Sequence, residues 1–599
     1  MNRFTERAEL RLGKVVEVSG DSLRVELDSN LGDLSRVVDG RVYSVGQLGS
    51  IVKVHYGRRL LFAYVKLLRM RSELAIEEGK DRISPGDDSR ILEADLFAQG
   101  IWRGEDLGLA ISRGVDVYPL PLQGVYLSTA DELDDLFRAA ERSEERNGVS
   151  PLVSIGTYVG SNGVACRANL DRLLGQHCAV LGSTGSGKSG TVAALIHSIL
   201  DHRTLLDQPI RPRIVVIDPH GEYGAAFRDR CHVLRAYASA AHGHAAAELR
   251  LPYWLMSGDE LRSLIVGKTE AEATSQNNVV YKALKHARMV TAGVVEPLPD
   301  SPNGEHAEVL CNGKTSADIT AFDRDKPIRF SLDEFKKHID LVQGRKTGSQ
   351  AALSNTDRKS HDSILDKLNV LRTDPRLQFL MRDDPEHTLS AAVLQLTGVA
   401  ENSSTVKIID ISGAPNEVAG ALTALICRLL FNLKVWQTRE ERERDPILIV
   451  CEEAHRYVPD RGEAQYKEAQ EAVRRIAKEG RKYGLGLMLV SQRPSDVEST
   501  VLSQCNSWLI LRLTNGADQD HVRRFLPDSL SGISRTLSSL GRREAIFVGE
   551  AAALPSRIRV RELAADQLPD SNDISFAGGW AYDPGTEASA APVIERWVG

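Results

Sequence analysis

The stretch that decides the fold reads Gly182-Ser183-Thr184-Gly185-Ser186-Gly187-Lys188-Ser189. It fills every fixed position of GxxxxGK[ST], follows the apolar run 179–182 and precedes a helical pattern over 191–200. Glycines at these places let the backbone curl until successive N–H groups point at phosphate oxygens, and the helix start adds positive potential. On this pattern Gly182, Thr184, Gly185, Ser186, Gly187, Lys188, Ser189, Gly190 and Thr191 are nucleotide-binding residues. Lys188 reaches the β and γ phosphates, and the Ser189 hydroxyl is a Mg2+ ligand.

A nucleoside triphosphatase needs carboxylates as well, at the end of an apolar strand. Ile447-Leu448-Ile449-Val450-Cys451-Glu452-Glu453 supplies them. One acid can hold the metal through water while its neighbour polarises the attacking water, so Glu452 is assigned to the metal side and Glu453 to the catalytic base. Two adjacent acids also simply close strands; the upstream phosphate loop favours the catalytic assignment. The strand 484–490 runs into Ser491-Gln492-Arg493-Pro494, where an amide can sense the γ phosphate, which makes Gln492 a sensor candidate.

Further apolar runs at 214–218, 406–412, 447–452, 485–492 and 507–513 are nearly continuous, as in parallel strands buried on both faces, and alternate with helical segments. The run 406–412 falls between the second strand and the acidic one in the chain. That order predicts an added strand in the sheet between phosphate loop and acids, as in RecA-like motors rather than kinases or small GTPases. No Asn-Lys-x-Asp guanine motif occurs, so the expected nucleotide is ATP.

Outward from this core, residues 1–150 read as a small β-barrel. Leu23, Val25 and Leu27 alternate with Arg24 and Glu26, and 50–54 pairs naturally with 60–65 through Tyr56-Gly57-Arg58-Arg59. The segment 251–395 reads as a mainly helical insertion, with a helix over 275–291 and an exposed polar piece at 297–304. The expected division is therefore barrel 1–150, α/β core 151–250 and 396–560, insertion 251–395, and a C-terminal arm or tail at 561–599.

The whole chain of 599 residues is 42% hydrophobic and 26% charged, which excludes a mainly disordered or collagen-like protein. Its 75 basic residues against 82 acidic ones give a net charge of -7, so any nucleic-acid surface must be local. Seven scattered cysteines without a CxxC pair suggest neither a disulfide framework nor a zinc knuckle. No signal peptide is recognisable at the amino terminus and no apolar run approaches a membrane span, so the expectation is a cytoplasmic protein with no membrane partner.

GSTGSGKS at 182–189, IDPHGEY at 217–223, CEEAHRYVP at 451–459, RIAKEGRKYGLGLMLVSQRPSDV at 475–497 and VLSQCNSWLILRL at 501–513 resemble the HerA branch of the HerA and FtsK superfamily. The barrel resembles that family's amino-terminal HAS barrel. The resemblance implies an α/β, RecA-like P-loop NTPase core and a homo-hexameric ring with ATP and Mg2+ at subunit interfaces. It also implies double-stranded DNA in the central channel and an arginine supplied by the neighbouring subunit. Many relatives carry Arg-His just before the phosphate-loop strand; this chain has Gln176-His177, so the arginine comes from elsewhere or is missing. Arg481 leads as the nucleotide-facing arginine and Arg493 follows, with a plain surface role the alternative for both. Asp218, His220 and Glu222 are secondary site candidates that could equally stabilise their loop.

Arg474, Lys478 and Arg481 are spaced four and three apart, which on a helix makes a basic stripe able to track phosphates, beside Arg475 and Lys482; Asp460-Arg461-Gly462 could form a channel loop. Three functions compete. The first is an ATP-driven DNA translocase or helicase working with a separate nuclease or Sir2-like effector, in DNA processing or antiphage defence. The second is an ATP-controlled ring scaffold that activates an effector with little translocation. The third, a coupling ATPase for protein or conjugative DNA export, normally carries membrane anchors.

Overall fold

The computed structural model describes residues 6–598 except 32–33, 78, 80–87, 105–107, 142–144, 146–147, 162, 238–245, 268–273, 301–306, 345–354, 399–405, 461–466, 527–529, 572–573 and 582–586. It divides into two compact units, one of residues 1–211 and 487–568 and the other of residues 212–486 and 569–599.

The first unit opens with a closed barrel. Six strands follow the order Ser22–Leu27, Arg11–Ser19, Gly124–Leu127, Ile51–Tyr56, Arg59–Met70 and Arg90–Trp102, and the last pairs back onto the first. Closure depends on the length of Arg90–Trp102: its first half pairs Ser22–Leu27 and its second half pairs the additional strand Leu109–Arg113. The alternation at Leu23, Val25 and Leu27 puts all three into the barrel core with Val52, Val54, Leu61 and Leu92. The expected hairpin forms, Tyr56 facing Arg59 across a two-residue turn in which Gly57 has φ 60°. On the face of its strand opposite Val52 and Val54, Lys53 is fully buried against Glu132, whose carboxylate also completes a capping box with Thr129 at the helix Ala130–Ala140.

Beyond the barrel the same unit holds a mixed sheet. Cys178–Leu181 is parallel to Leu485–Ser491 on one side and to Ser507–Ile510 on the other. The sheet continues antiparallel through Glu544–Gly549, Ser556–Val560, Leu152–Tyr158 and Ala165–Asn169. With both edges of Cys178–Leu181 taken, the acidic strand is not its direct partner, as expected of a RecA-like core.

The second unit contains a parallel sheet, in the order Ile447–Cys451, Arg213–Asp218, Val406–Asp410, Cys231–Arg235, Ala247–Glu248. This corrects one expectation. Val406–Asp410 follows Arg213–Asp218 in the chain but pairs on its far side, away from Ile447–Cys451, so it is not the strand interposed before the acids. All five residues of Val406–Asp410 are buried, which its apolar run announced, whereas sheet position depends on which way the crossover folds.

Between these strands the chain is mainly helical: Gly258–Val266, Thr274–Thr291, Ser316–Ala321, Leu332–Lys337, Asn355–Thr373 and Leu389–Thr397. The polar piece at 297–304 lies partly outside the described residues. Arg428 grips Glu260 with two hydrogen bonds of 2.7 Å each and so fastens Gly258–Val266 to the long helix Asn416–Trp436. That long helix corrects another expectation: over Val418–Trp436 it is apolar enough and long enough to cross a membrane. Most of this stretch is buried in the protein, which accounts for the apolarity by packing. The terminal segment carries two helices, Phe576–Trp580 and Glu587–Val598.

Candidate nucleotide site

In the first unit the phosphate loop follows strand Cys178–Leu181 and leads into helix Lys188–Leu200. Gly185 and Gly187 have φ of 72° and 95°, a backbone region that side chains rarely adopt, and this turns the loop back over the helix start. Gly182 is fixed by crowding, because a Cβ there would lie 2.5 Å from Ser186 Oγ and 2.9 Å from Leu511 Cβ. The loop is anchored from below by Gly182 N–H to the Ser491 carbonyl at 3.2 Å and Ser183 N–H to the Arg512 carbonyl at 2.9 Å. Thr191 donates both its N–H and its hydroxyl to the Gly187 carbonyl, at 2.8 and 2.9 Å, so it buttresses the first helical turn.

The loop's own chemistry suits a phosphate chain. The side chain of Lys188 is buried in the first turn and Ser186 Oγ is buried with no hydrogen-bond partner among the described residues. A buried hydroxyl without a partner is costly in a closed structure, and an anion with several acceptor oxygens relieves it. Thr184, Gly185, Ser189 and Gly190 are exposed or half-buried at the rim. The Thr184 hydroxyl donates to Gln492 Oε1 at 2.6 Å, so the structure joins the sensor candidate to the loop it was expected to report on.

His177 has φ 60° and accepts the Leu487 N–H on Nδ1 at 3.1 Å, while Gln176 accepts from the Asn506 amide at 3.1 Å. Both residues brace the base of the phosphate-loop strand. Sequence reasoning missed Arg543, whose backbone nitrogen lies 3.8 Å from where a Gly187 Cβ would stand. Arg543 has φ 66° and pairs through its guanidinium with Glu562 at 3.1 Å. No motif marks it in the chain.

In the second unit the carboxylates gather at the carboxyl ends of adjacent parallel strands, where ligands bind in such sheets. Glu452 and Glu453 are both buried. The Tyr223 hydroxyl donates to Glu452 Oε2 at 2.7 Å, a contact legible only once the strands are paired. Glu453 adopts φ 52°, an uncommon conformation for a non-glycine residue that aims its side chain off the strand end. Its carboxylate lies 3.1 Å from His455 Nδ1 and 4.0 Å from His220 Nε2.

Asp218 accepts the N–H groups of His220, Gly221 and Tyr223 at 3.1, 2.9 and 3.0 Å, so its role in the structure is to hold the loop that carries Tyr223. Burial raises its pKa to about 7. Asp410 on the next strand is engaged by Arg235 at 2.8 Å and by Ser412 at 2.7 Å. Glu222 is half-buried, and its carbonyl receives the Asp570 N–H at 3.0 Å.

The basic stripe is corrected. The helix ends at Glu479, and Arg481 sits in the separate turn Gly480–Tyr483, so Arg474, Lys478 and Arg481 do not share one helical face. Gly480 and Gly484 flank that turn and end the regular geometry. Arg475 lies 4.2 Å from the Phe431 ring centroid, a packing role. Arg481 and Lys482 are exposed, and Arg493 is exposed beside Asp496 at 3.6 Å. Of the channel-loop candidates, Arg461 and Gly462 lie outside the described residues.

Residues 153–430 match the family described as Helicase HerA, central domain. Over this central region the chain is similar to the HerA helicases. It is 24% identical over 453 residues to a probable DNA double-strand break repair helicase HerA of Methanocaldococcus jannaschii, covering 72% of this chain and 79% of that one. It is 27% identical over 455 residues to the HerA repair helicase of Sulfolobus acidocaldarius, covering 74% of each. Among solved structures, the conjugative coupling protein TrwB aligns at 14% identity and TM-score 0.44 over 74% of this chain and 94% of its own. VirB4 of Thermoanaerobacter pseudethanolicus aligns at 17% and 0.42, over 71% and 99%. The phosphate loop at 182–189 lies within the matched residues, and the acidic strand end at 452–453 lies beyond them.

Proposed function

We propose that this HerA-like ATPase is a DNA translocase or helicase motor: a homo-hexamer that hydrolyses ATP with Mg2+ and moves double-stranded DNA without sequence preference. It would work with a separate nuclease or Sir2-like effector in DNA processing or antiphage defence. The observation that carries the reading is the phosphate loop, with glycines curled at positive φ, a buried Lys188 and an unpartnered Ser186 hydroxyl. The curated relatives support the DNA side, since their names describe DNA repair helicases.

Each residue then takes a role that its own chemistry allows. The loop N–H groups and Lys188 neutralise the phosphates, and Thr184 with Gln492 registers the γ phosphate. Ser189 and Glu452 are the residues that would hold Mg2+, which supplies charge neutralisation on the phosphate oxygens. Glu453 takes the proton of the attacking water, and His455 orients its carboxylate. Arg481 and Arg493, both exposed, are candidates to complete a neighbouring subunit's site.

Gln176 favours a second reading, in which ATP controls assembly of a ring scaffold that activates the effector with little translocation. ATP turnover and strand displacement by wild type, Lys188→Ala and Glu453→Gln separate the two. The motor predicts DNA-stimulated turnover and displacement that both variants abolish. Effector activation that survives both substitutions contradicts the motor and supports the scaffold.

A further inference from the structure

The helical insertion holds a cluster that the nucleotide chemistry does not use. His286 on helix Thr274–Thr291 is fully buried, with Nδ1 2.9 Å from Glu308 Oε1 and Nε2 3.1 Å from Glu334 Oε1. Next to it His338 is buried with Nε2 3.5 Å from the same Glu308 oxygen. The two imidazoles stack at 4.6 Å between centroids and 24° between planes. One ligand atom each from His286, Glu308 and His338 therefore converges within 4.8 Å, and these three residues come from separate stretches of chain.

A hydrogen-bonded network alone fits this arrangement poorly. Both nitrogens of His286 face carboxylate oxygens, so a neutral ring leaves one contact without a proton, while an imidazolium would stack a buried cation against a second ring that needs the same acceptor. A cation shared by His286 Nδ1, His338 Nε2 and Glu308 removes the conflict. His286 Nε2–H then donates to Glu334, which is itself held by the Leu298 N–H at 2.7 Å, the outer carboxylate that commonly orients a ligating histidine. Tetrahedral zinc with ligands at about 2.0–2.1 Å places neighbouring ligand atoms about 3.3 Å apart, and the observed 2.9 and 3.5 Å lie on either side of that value.

Glu308 and His338 also line a cavity of about 620 Å³, which leaves a fourth position open to water. Gln343 must turn over as the ion binds: its amide nitrogen faces His338 Nδ1 at 3.1 Å, and a ligating ring needs an acceptor there.

We propose that His286, Glu308 and His338 bind one divalent ion of the zinc class, clamping helix Thr274–Thr291, the segment at 308 and the helix around His338 into one element. The site is independent of the phosphate loop. The test uses full-length protein without nucleotide, stripped with a chelator and titrated with Zn2+ against a chromophoric competitor, then with Co2+ for its visible absorption. One Zn2+ per chain, a tetrahedral Co2+ spectrum and a raised melting temperature are expected of wild type and of Lys188→Ala. Glu308→Gln, a change on a partly exposed side chain, and His338→Gln should weaken binding at least tenfold and lose the spectrum, and Glu334→Gln should weaken it about 10- to 100-fold. Failure of folded wild type to take up Zn2+, or unchanged stoichiometry and affinity in folded Glu308→Gln, overturns the proposal.

Discussion

The phosphate loop and the helical insertion build their polar sites in opposite ways. In the loop, residues 182–191 are contiguous and every contact that shapes them is local or one strand away: Gly185 and Gly187 turn, Thr191 holds the Gly187 carbonyl, and Gln492 reaches Thr184. In the insertion, polar groups meet from distant stretches. Arg288 is fully buried and donates to the carbonyls of Trp254 at 2.9 Å and Met256 at 2.7 Å, and to that of Arg324. The difference teaches where each kind of change should register. Substitutions at the nucleotide residues should strike turnover and spare the fold, and those in the insertion should do the reverse.

The largest effect is expected at Glu453. Glu453→Gln keeps shape and removes the base, so turnover should fall about 1,000-fold, near 4 kcal/mol, with nucleotide binding retained in an equilibrium titration. Loss of binding together with turnover would mean that Glu453 holds the fold, which erases the contrast.

Arg288→Ala probes the other side. Burial lowers this guanidinium's pKa to about 10, and its removal strands three carbonyls at about 1 kcal/mol or more each, so the insertion should lose about 3 kcal/mol or more. Denaturant unfolding followed alongside turnover at low denaturant reads both quantities. A large loss of turnover in still-folded protein would break the comparison.

Asp218 crosses the divide, since it lies at the carboxylate edge yet only braces a loop. Its folded pKa of about 7 exceeds the unfolded value near 4, so between these pH values the folded state holds the extra proton. Its contribution to stability is therefore full below about pH 4, declines as pH rises towards 7 and stays level above. Between pH 5 and 7 the decline should be on the order of 2 kcal/mol, and Asp218→Asn should flatten that slope in denaturant unfolding.

The smallest effect should come from the rim of the loop. Thr184→Ala and Gln492→Ala should each lower turnover about tenfold, near 1.4 kcal/mol, and the double variant should be little worse because both remove one hydrogen bond. Additive losses would show that the two residues act apart.

The same contrast explains what could be read in advance. The phosphate loop, the acidic strand end and Gln492 were legible because backbone curvature and strand-end chemistry impose fixed residue types over short spacings. The strands were legible because burial on both faces demands unbroken apolar runs, as in Ile447–Cys451. Val406–Asp410 was misplaced in the sheet because chain order does not state on which side of Arg213–Asp218 it pairs. Barrel closure hid in one long strand, Arg90–Trp102, that serves different partners along its length. Tyr223 on Glu452, Arg475 on Phe431 and the histidine pair at 286 and 338 all depend on three-dimensional meeting of distant residues, and no local spacing records them.

The central claim is that the phosphate loop powers a DNA-dependent ATPase. It is tested most directly by ATP turnover of full-length protein with and without duplex DNA, wild type beside Lys188→Ala. The account predicts turnover that DNA raises severalfold in wild type and that Lys188→Ala lowers at least about 100-fold, with unchanged unfolding. Turnover equal in the two proteins, or unaffected by DNA in wild type, would contradict it.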